Sequence, residues 1–207
     1  MNTASLFPMF LKLEGRNCLV LGAGSVGEQK IRSLLDCGAQ IRVVAPSASA
    51  TVREWANGGA LTWIQRPFES PDLDGVFLVV AATSSVEVNH AIYRESQAQG
   101  ILCNVVDDPP HCDFYYPAVV RRGQLQIAIS TAGLSPALAQ RIRMQLEGEF
   151  PPAYASWLEQ LGSWRESLFR AGGDPELRRQ LLHRLATPEA FLEFESGNQS
   201  ESGKEVL

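Results

Sequence analysis

The chain has 207 residues, 45% of them hydrophobic and 20% charged, enough to bury a core as one large domain or two small ones. Its net charge of -5 argues against nucleic acid or an anionic membrane surface as the main partner, because both would repel it at long range. No apolar run approaches the roughly 20 residues that cross a bilayer, and the N-terminus lacks the pattern of a secretory signal, so the expected compartment is the cytoplasm. Four widely spaced cysteines, Cys18, Cys37, Cys103 and Cys112, form no CxxC pair and read as reduced, buried thiols.

Short apolar runs rich in β-branched residues alternate with stretches of helical spacing, the pattern of βαβ units on a mainly parallel sheet. Strands are expected over 17–22, 41–44, 61–65, 76–81 and 101–106, with helices over 25–37, 50–56 and 86–99. Gly38 and Gly100 stand as helix stops. After Val106 the pattern changes. Asp108-Pro109-Pro110 marks a turn, and two strands over 114–120 and 125–130 flank the polar Arg121-Arg122-Gly123 as an antiparallel addition. From Ser135 onward the chain reads as helices broken at Pro151-Pro152, Gly172-Gly173-Asp174-Pro175 and Thr187-Pro188, with Asp174 and Thr187 as N-caps. Residues 195–207 are polar and read as a disordered tail.

The run from Cys18 to Gly27 is an apolar strand entering Gly22-Ala23-Gly24-Ser25-Val26-Gly27 and then a helix. In that context the GxGxxG pattern has a mechanism. Gly22 permits the tight turn, Gly24 lets backbone approach a pyrophosphate, and Gly27 lets helix and strand pack closely. The acidic residue normally found about 20 residues on, which binds the adenosine ribose, is missing, since that stretch reads Val43-Val44-Ala45-Pro46-Ser47. Arg42 and Arg53 lie nearby in sequence and would tolerate a 2′-phosphate, so NAD and NADP both stay open.

A second constellation, Asn104-Val105-Val106-Asp107-Asp108, falls at the carboxyl end of a predicted strand, on the edge where open α/β sheets bind ligands. Either aspartate is placed to face a nicotinamide ring, and an ordinary Asp-Pro turn is the alternative. A third runs from Ser130 through Thr131, Ala132 and Gly133 to Ser135-Pro136, a strand-to-helix turn rich in amides and hydroxyls. With Arg121, Arg122, Arg141 and Arg143 it would suit a polycarboxylate, unless those arginines simply pair with Glu147 and Glu149. His111, Cys112 and Asp113 are consecutive and point to alternating faces, so no metal site is expected there. His90 and His183 read as helix residues without a partner.

Taken in order, residues 6–13 (LFPMFLKL), 18–30 (CLVLGAGSVGEQK), 43–46 (VVAP), 104–108 (NVVDD), Cys112-Asp113-Phe114, Pro117-Ala118 and 129–140 (ISTAGLSPALAQ) resemble the precorrin-2 dehydrogenase module of sirohaem synthases, in register over 6–146. The resemblance implies a homodimeric enzyme of the stand-alone form, with an α/β Rossmann-type sheet, a small hairpin-helix dimerisation region and a C-terminal helical piece. It would use NAD to oxidise precorrin-2 to sirohydrochlorin, and some members also insert ferrous iron. The implied catalytic residue is Asp107. The cofactor set is Gly22, Ala23, Gly24, Ser25, Val26, Gly27, Pro46 and Thr83, and the substrate set is Asn104, Ser130, Thr131, Ala132, Gly133 and Arg141. The expected domains are 1–113 for NAD, 114–150 for dimerisation and tetrapyrrole binding, and 151–194 for helices. The rival reading is a non-catalytic NAD-sensing module. Short-chain dehydrogenases are disfavoured because no tyrosine is followed four residues later by lysine.

Overall fold

In the computed structural model, which describes residues 5–202 and gives side-chain surroundings as far as residue 197, a parallel sheet fills the first half of the chain. Its elements are β1 (Asn17–Ala23), α1 (Ser25–Leu35), β2 (Gln40–Ala48), α2 (Ala50–Asn57), β3 (Thr62–Ile64), β4 (Leu78–Ala81), α3 (Val86–Gln99) and β5 (Leu102–Val105). The strand order is β3-β2-β1-β4-β5, with every pair parallel. This is a Rossmann order, on the mainly parallel sheet expected from the sequence. It reverses direction between β1 and β4, so the carboxyl ends of those strands open the crevice where such sheets bind ligands.

The central strands are apolar without alternation because helices cover both faces. Leu19, Val20 and Leu21 of β1 and Val79 and Val80 of β4 are all fully buried, with Ile92 of α3 packed against the same core as Leu19, Leu21 and Val79. Each such Leu or Ile contributes about 1.5–3 kcal/mol relative to an exposed position. The expected stop at Gly100 is present as a left-handed cap at φ +68. α1 ends at Leu35, two residues short of the expected end, and β2 runs four residues past its expected end, through Pro46 to Ala48. Proline is tolerated there because it lies beyond the β2–β3 pairing and at a register shift against β1, where no ladder bond needs its missing N–H.

The chain divides into two compact units, one up to Tyr115 and one from Tyr116. The second holds a hairpin of β6 (Ala118–Arg122) and β7 (Leu125–Ile129), then α4 (Pro136–Glu149), α5 (Tyr154–Ala171), α6 (Pro175–Leu185) and α7 (Pro188–Ser202). The expected strand at 114–120 begins only at Ala118, since Cys112 already bridges to β5 and Pro117 cannot donate to a ladder. Ser135, Asp174 and Thr187 each accept a backbone N–H at a helix start, from Leu138, Glu176 and Ala190. Tyr154, Trp157 and Phe191 pack as an aromatic cluster, with Tyr154 edge-on to Trp157. The tail expected over 195–207 is instead helical as far as Ser202, and 203–207 lie outside the described residues. All four cysteines are free. Burial pushes the Cys18 thiol up to about 11 and the Cys103 thiol to about 12, while Cys37 and Cys112 are only half-buried.

Candidate cofactor and substrate sites

The three glycines of the phosphate loop differ in what surrounds them. Gly22 sits at φ +98, and a Cβ there would stand 2.3 Å from the carbonyl oxygen of Ala82, at the end of β4. Gly27 is buried in the first turn of α1, where a Cβ would stand 2.2 Å from the oxygen of Gly22. Those two positions weld strand to strand and helix to strand. Gly24 would meet nothing within 4 Å and is exposed, so its backbone is open to a ligand. It also forms the N-cap of α1 without a side chain to satisfy the helix amides. Together with the exposed Ser25 and Val26 it offers unpaired N–H groups at the positive end of a helix dipole, a fit for a pyrophosphate. Ala23 is buried in β1 and contributes backbone only.

Although β2 ends without an acid, a carboxylate of α1 reaches the residue that follows it. Glu28 Oε2 accepts the Ser49 hydroxyl at 2.6 Å, and Ser49 in turn caps α2 through Val52 N–H and donates its own N–H to the Ala23 oxygen. The Ser49 hydrogen bond, helped by Thr51 and Arg32, holds the Glu28 carboxyl below its usual range. The expectation that Arg42 lies near the ribose end fails. Arg42 belongs to the amino half of β2, and its guanidinium donates to the Asp72 carbonyl. Pro46 is exposed near the carboxyl end of β2, where its oxygen accepts from Gln65.

At the end of β4, Thr83 is fixed by the buried Asn89 of α3. The Thr83 hydroxyl donates to Asn89 Oδ1 at 2.7 Å, and Asn89 Nδ2 returns a bond to the Thr83 oxygen at 3.1 Å. At the end of β5 the two aspartates separate. Asp107 is exposed and left-handed at φ +61. Lys30 of α1 lies close enough for their charges to interact, and burial still leaves that ammonium below its usual range. Asp108 turns away and accepts from His111 Nδ1 at 2.8 Å and His90 Nε2 at 2.7 Å, two bonds that hold its carboxyl below the usual range. His90 is therefore not the partnerless helix residue expected.

Asn104, expected to touch substrate, has a bracing role in the fold. It is only 6% exposed, and its amide donates to the Phe114 oxygen at 2.8 Å and the Cys112 sulfur at 3.3 Å. Those bonds hold the segment after the turn against β5, helped by Asp113, whose carboxylate accepts Cys103 N–H and the Gln97 amide. His111 and Cys112 both donate to Asp108, one to its carboxylate and the other to its carbonyl, while Asp113 turns to Cys103 and Gln97, so the three do not converge on one point.

In the second unit the turn after β7 is tightly wound. Ala132 at φ +51 and Gly133 at φ +80 are both left-handed, Ser130 Oγ accepts Ala132 N–H, and Thr131 Oγ1 accepts Ser135 N–H. Among the described residues, Asp107 and Ala132 are the two non-glycine positions with positive φ. The expected cluster of four arginines is halved. Arg122 caps the end of α4 through the Phe150 and Glu147 oxygens, and Arg143 pairs with Glu147, which leaves Arg121 and Arg141 exposed.

Comparison with known proteins matches residues 9–118 to an NAD(P)-binding family model and residues 122–149 to the central region of sirohaem biosynthesis proteins. The chain belongs to the NAD(P)-binding family whose model spans more than half of it, and carries the sirohaem central region after it. A siroheme synthase of Photorhabdus laumondii is 40% identical over 159 residues, covering 77% of this chain and 34% of that protein. One from Methylococcus capsulatus is 36% identical over 201 residues, 97% of this chain and 42% of that protein. The chain therefore spans about a third to two-fifths of the length of these sirohaem synthases. The solved structure titled SirC, precorrin-2 dehydrogenase, superposes with a TM-score of 0.80 at 29% identity, covering 98% of this chain and all of that one. No described helix is long and apolar enough to cross a membrane.

Sequence reasoning missed Glu28, Asn89 and the pairing of His90 with Asp108. Glu28 lies four residues after Gly24, one helical turn into α1, which is the only local signal it carried.

Proposed function

We propose that this chain oxidises precorrin-2 to sirohydrochlorin with NAD as the acceptor, as a step of sirohaem formation. Asp107 carries the reading. Left-handed non-glycine residues are uncommon and cluster at active sites, and Asp is one of the few side chains that adopts that conformation readily. This one presents an exposed carboxylate on the sheet edge that also bears the glycine loop. NAD, when bound, supplies the hydride acceptor. Gly24, Ser25 and Val26 receive its pyrophosphate, Gly22 and Gly27 keep that loop against β4 and α1, and Thr83 closes the neighbouring strand end. As hydride leaves the macrocycle, the Asp107 carboxylate takes the accompanying proton, with Lys30 balancing the local charge.

The second unit is proposed to recognise the substrate's carboxylates through the turn at Ser130, Thr131, Ala132 and Gly133 and through Arg141. A homodimer formed over 114–146 is part of the same reading. It is supported by a two-stranded sheet that is marginal by itself and by exposed Leu134, Leu138 and Met144. A cytoplasmic location, and ferrous iron as the substrate of a following insertion step, belong to it as well.

The test is anaerobic incubation of the protein with enzymatically made precorrin-2 and NAD. NADH appearing in step with the sirohydrochlorin spectrum is the expected result. Tight nucleotide binding without turnover would favour the sensing module.

A further inference from the structure

In the turn that carries Asp107 lies a second cluster that the proposed dehydrogenase reaction does not use. His90 comes from the first half of α3, and Asp108 and His111 from the turn after β5. His90 Nε2 and His111 Nδ1 both aim at one oxygen of Asp108, at 2.7 and 2.8 Å, and the donor atoms of all three lie within 4.8 Å of one another. The two imidazoles stack with centroids 4.1 Å apart, and Tyr93 packs edge-on against His111 at 4.9 Å, so both rings are held in place.

We propose that His90, Asp108 and His111 bind a divalent first-row transition ion. Two imidazoles and one carboxylate on a common face form a ligand set that suits ferrous, cobalt, nickel or zinc ions and leaves further positions open. Nitrogen and oxygen ligands about 2.0–2.1 Å from one ion stand about 3 Å apart, so the observed spacings need open by only a few tenths of an ångström. The three side chains are 33%, 25% and 30% exposed, which gives an ion entry from solvent and leaves room for water on its free positions. Calcium and magnesium, which prefer all-oxygen cages, are poor fits. The set comes from two places in the chain 18 residues apart, and α3 must pack against β5 for it to form. Ion binding therefore reports the native arrangement of the turn that carries Asp107.

The inference stands whether or not the chain oxidises precorrin-2, and its test requires neither precorrin-2 nor NAD. Tag-free full-length protein is titrated with cobalt(II), followed by ligand-field absorption, and with zinc against a chromophoric chelator. One equivalent is expected to bind. His111→Gln and His90→Gln are each expected to weaken binding at least as much as the about 10–100-fold lost when a supporting outer-shell partner is removed. Saturating zinc should raise the melting temperature of the native protein and leave that of either variant unchanged. His183→Gln, remote in sequence and on α6, should bind like the native chain. Overturning results would be absence of a one-equivalent cobalt complex in the native protein, or binding that survives intact in a folded His90→Gln or His111→Gln variant. If those variants do not fold, Asp108→Asn supplies the same decision, since binding unchanged in it would equally end the proposal.

Discussion

Ser49 donates its hydroxyl to Glu28 at 2.6 Å, and that bond carries a carboxylate from α1 to the carboxyl end of β2. Rossmann domains that prefer NAD place an acid at this strand end, where it faces the adenosine ribose and repels a 2′-phosphate. Here the acid reaches the strand end from the preceding helix. Glu28→Gln is expected to raise kcat/KM with NADP relative to NAD by about tenfold through loss of that repulsion. Steady-state kinetics with both nucleotides check it. An unchanged ratio would mean that Glu28 only braces Ser49.

The glycine loop separates structure from binding at two positions. Gly22→Ala would force a Cβ against the Ala82 backbone at a left-handed φ, so a destabilisation of about 1–3 kcal/mol is expected in thermal or urea unfolding. Gly24→Ala meets open space at φ -77, and its stability should change by less than about 0.5 kcal/mol. Its NAD affinity should nonetheless fall about tenfold or more, because the methyl group occupies the approach of the pyrophosphate. Nucleotide titration of both variants, beside their unfolding curves, measures the difference.

Much of this was legible in the sequence wherever the signal is local. The glycine loop, the Gly100 stop and the caps at Ser135, Asp174 and Thr187 each depend on a few adjacent residues, and each forms as read. What escaped depends on how helices rotate against strands. Glu28 meets Ser49 across 21 positions, and His90 meets Asp108 across 18, distances at which one-dimensional spacing carries no angle. The arginine cluster thinned for the same reason. That holds for Arg122, drawn to carbonyl groups at the end of α4 that only the fold brings within reach, whereas Arg143 pairs with Glu147 one helical turn on, the alternative the sequence already offered. Asn104 shows a related case, a polar residue at a strand end whose side-chain N–H groups brace Phe114 and Cys112, a structural role that spacing alone does not reveal.

Asp72 should make the protein acid-sensitive. Its carboxylate is 4% exposed, and although burial opposes its ionisation, a two-pronged bond from Arg66 at 2.7 and 2.8 Å and the Glu69 N–H hold it below its usual range. A depressed folded value means the stabilisation is full above the unfolded value of about 3.9 and is lost as pH falls through the lower, folded one. Asp72→Asn is expected to cost about 2 kcal/mol at neutral pH and to flatten the decline of stability below about pH 4. Denaturant unfolding across a pH series reads both effects, and parallel curves for the two proteins would refute the assignment.

The most direct measurement of the central claim compares native protein and Asp107→Ala in anaerobic precorrin-2 oxidation with NAD, with NAD affinity determined on the same samples. The native chain is expected to form NADH and sirohydrochlorin together. The variant should bind NAD normally while its rate falls about 100-fold or more, the contribution of a positioned proton acceptor. Near-full dehydrogenase activity in Asp107→Ala, with the fold intact, would contradict the account.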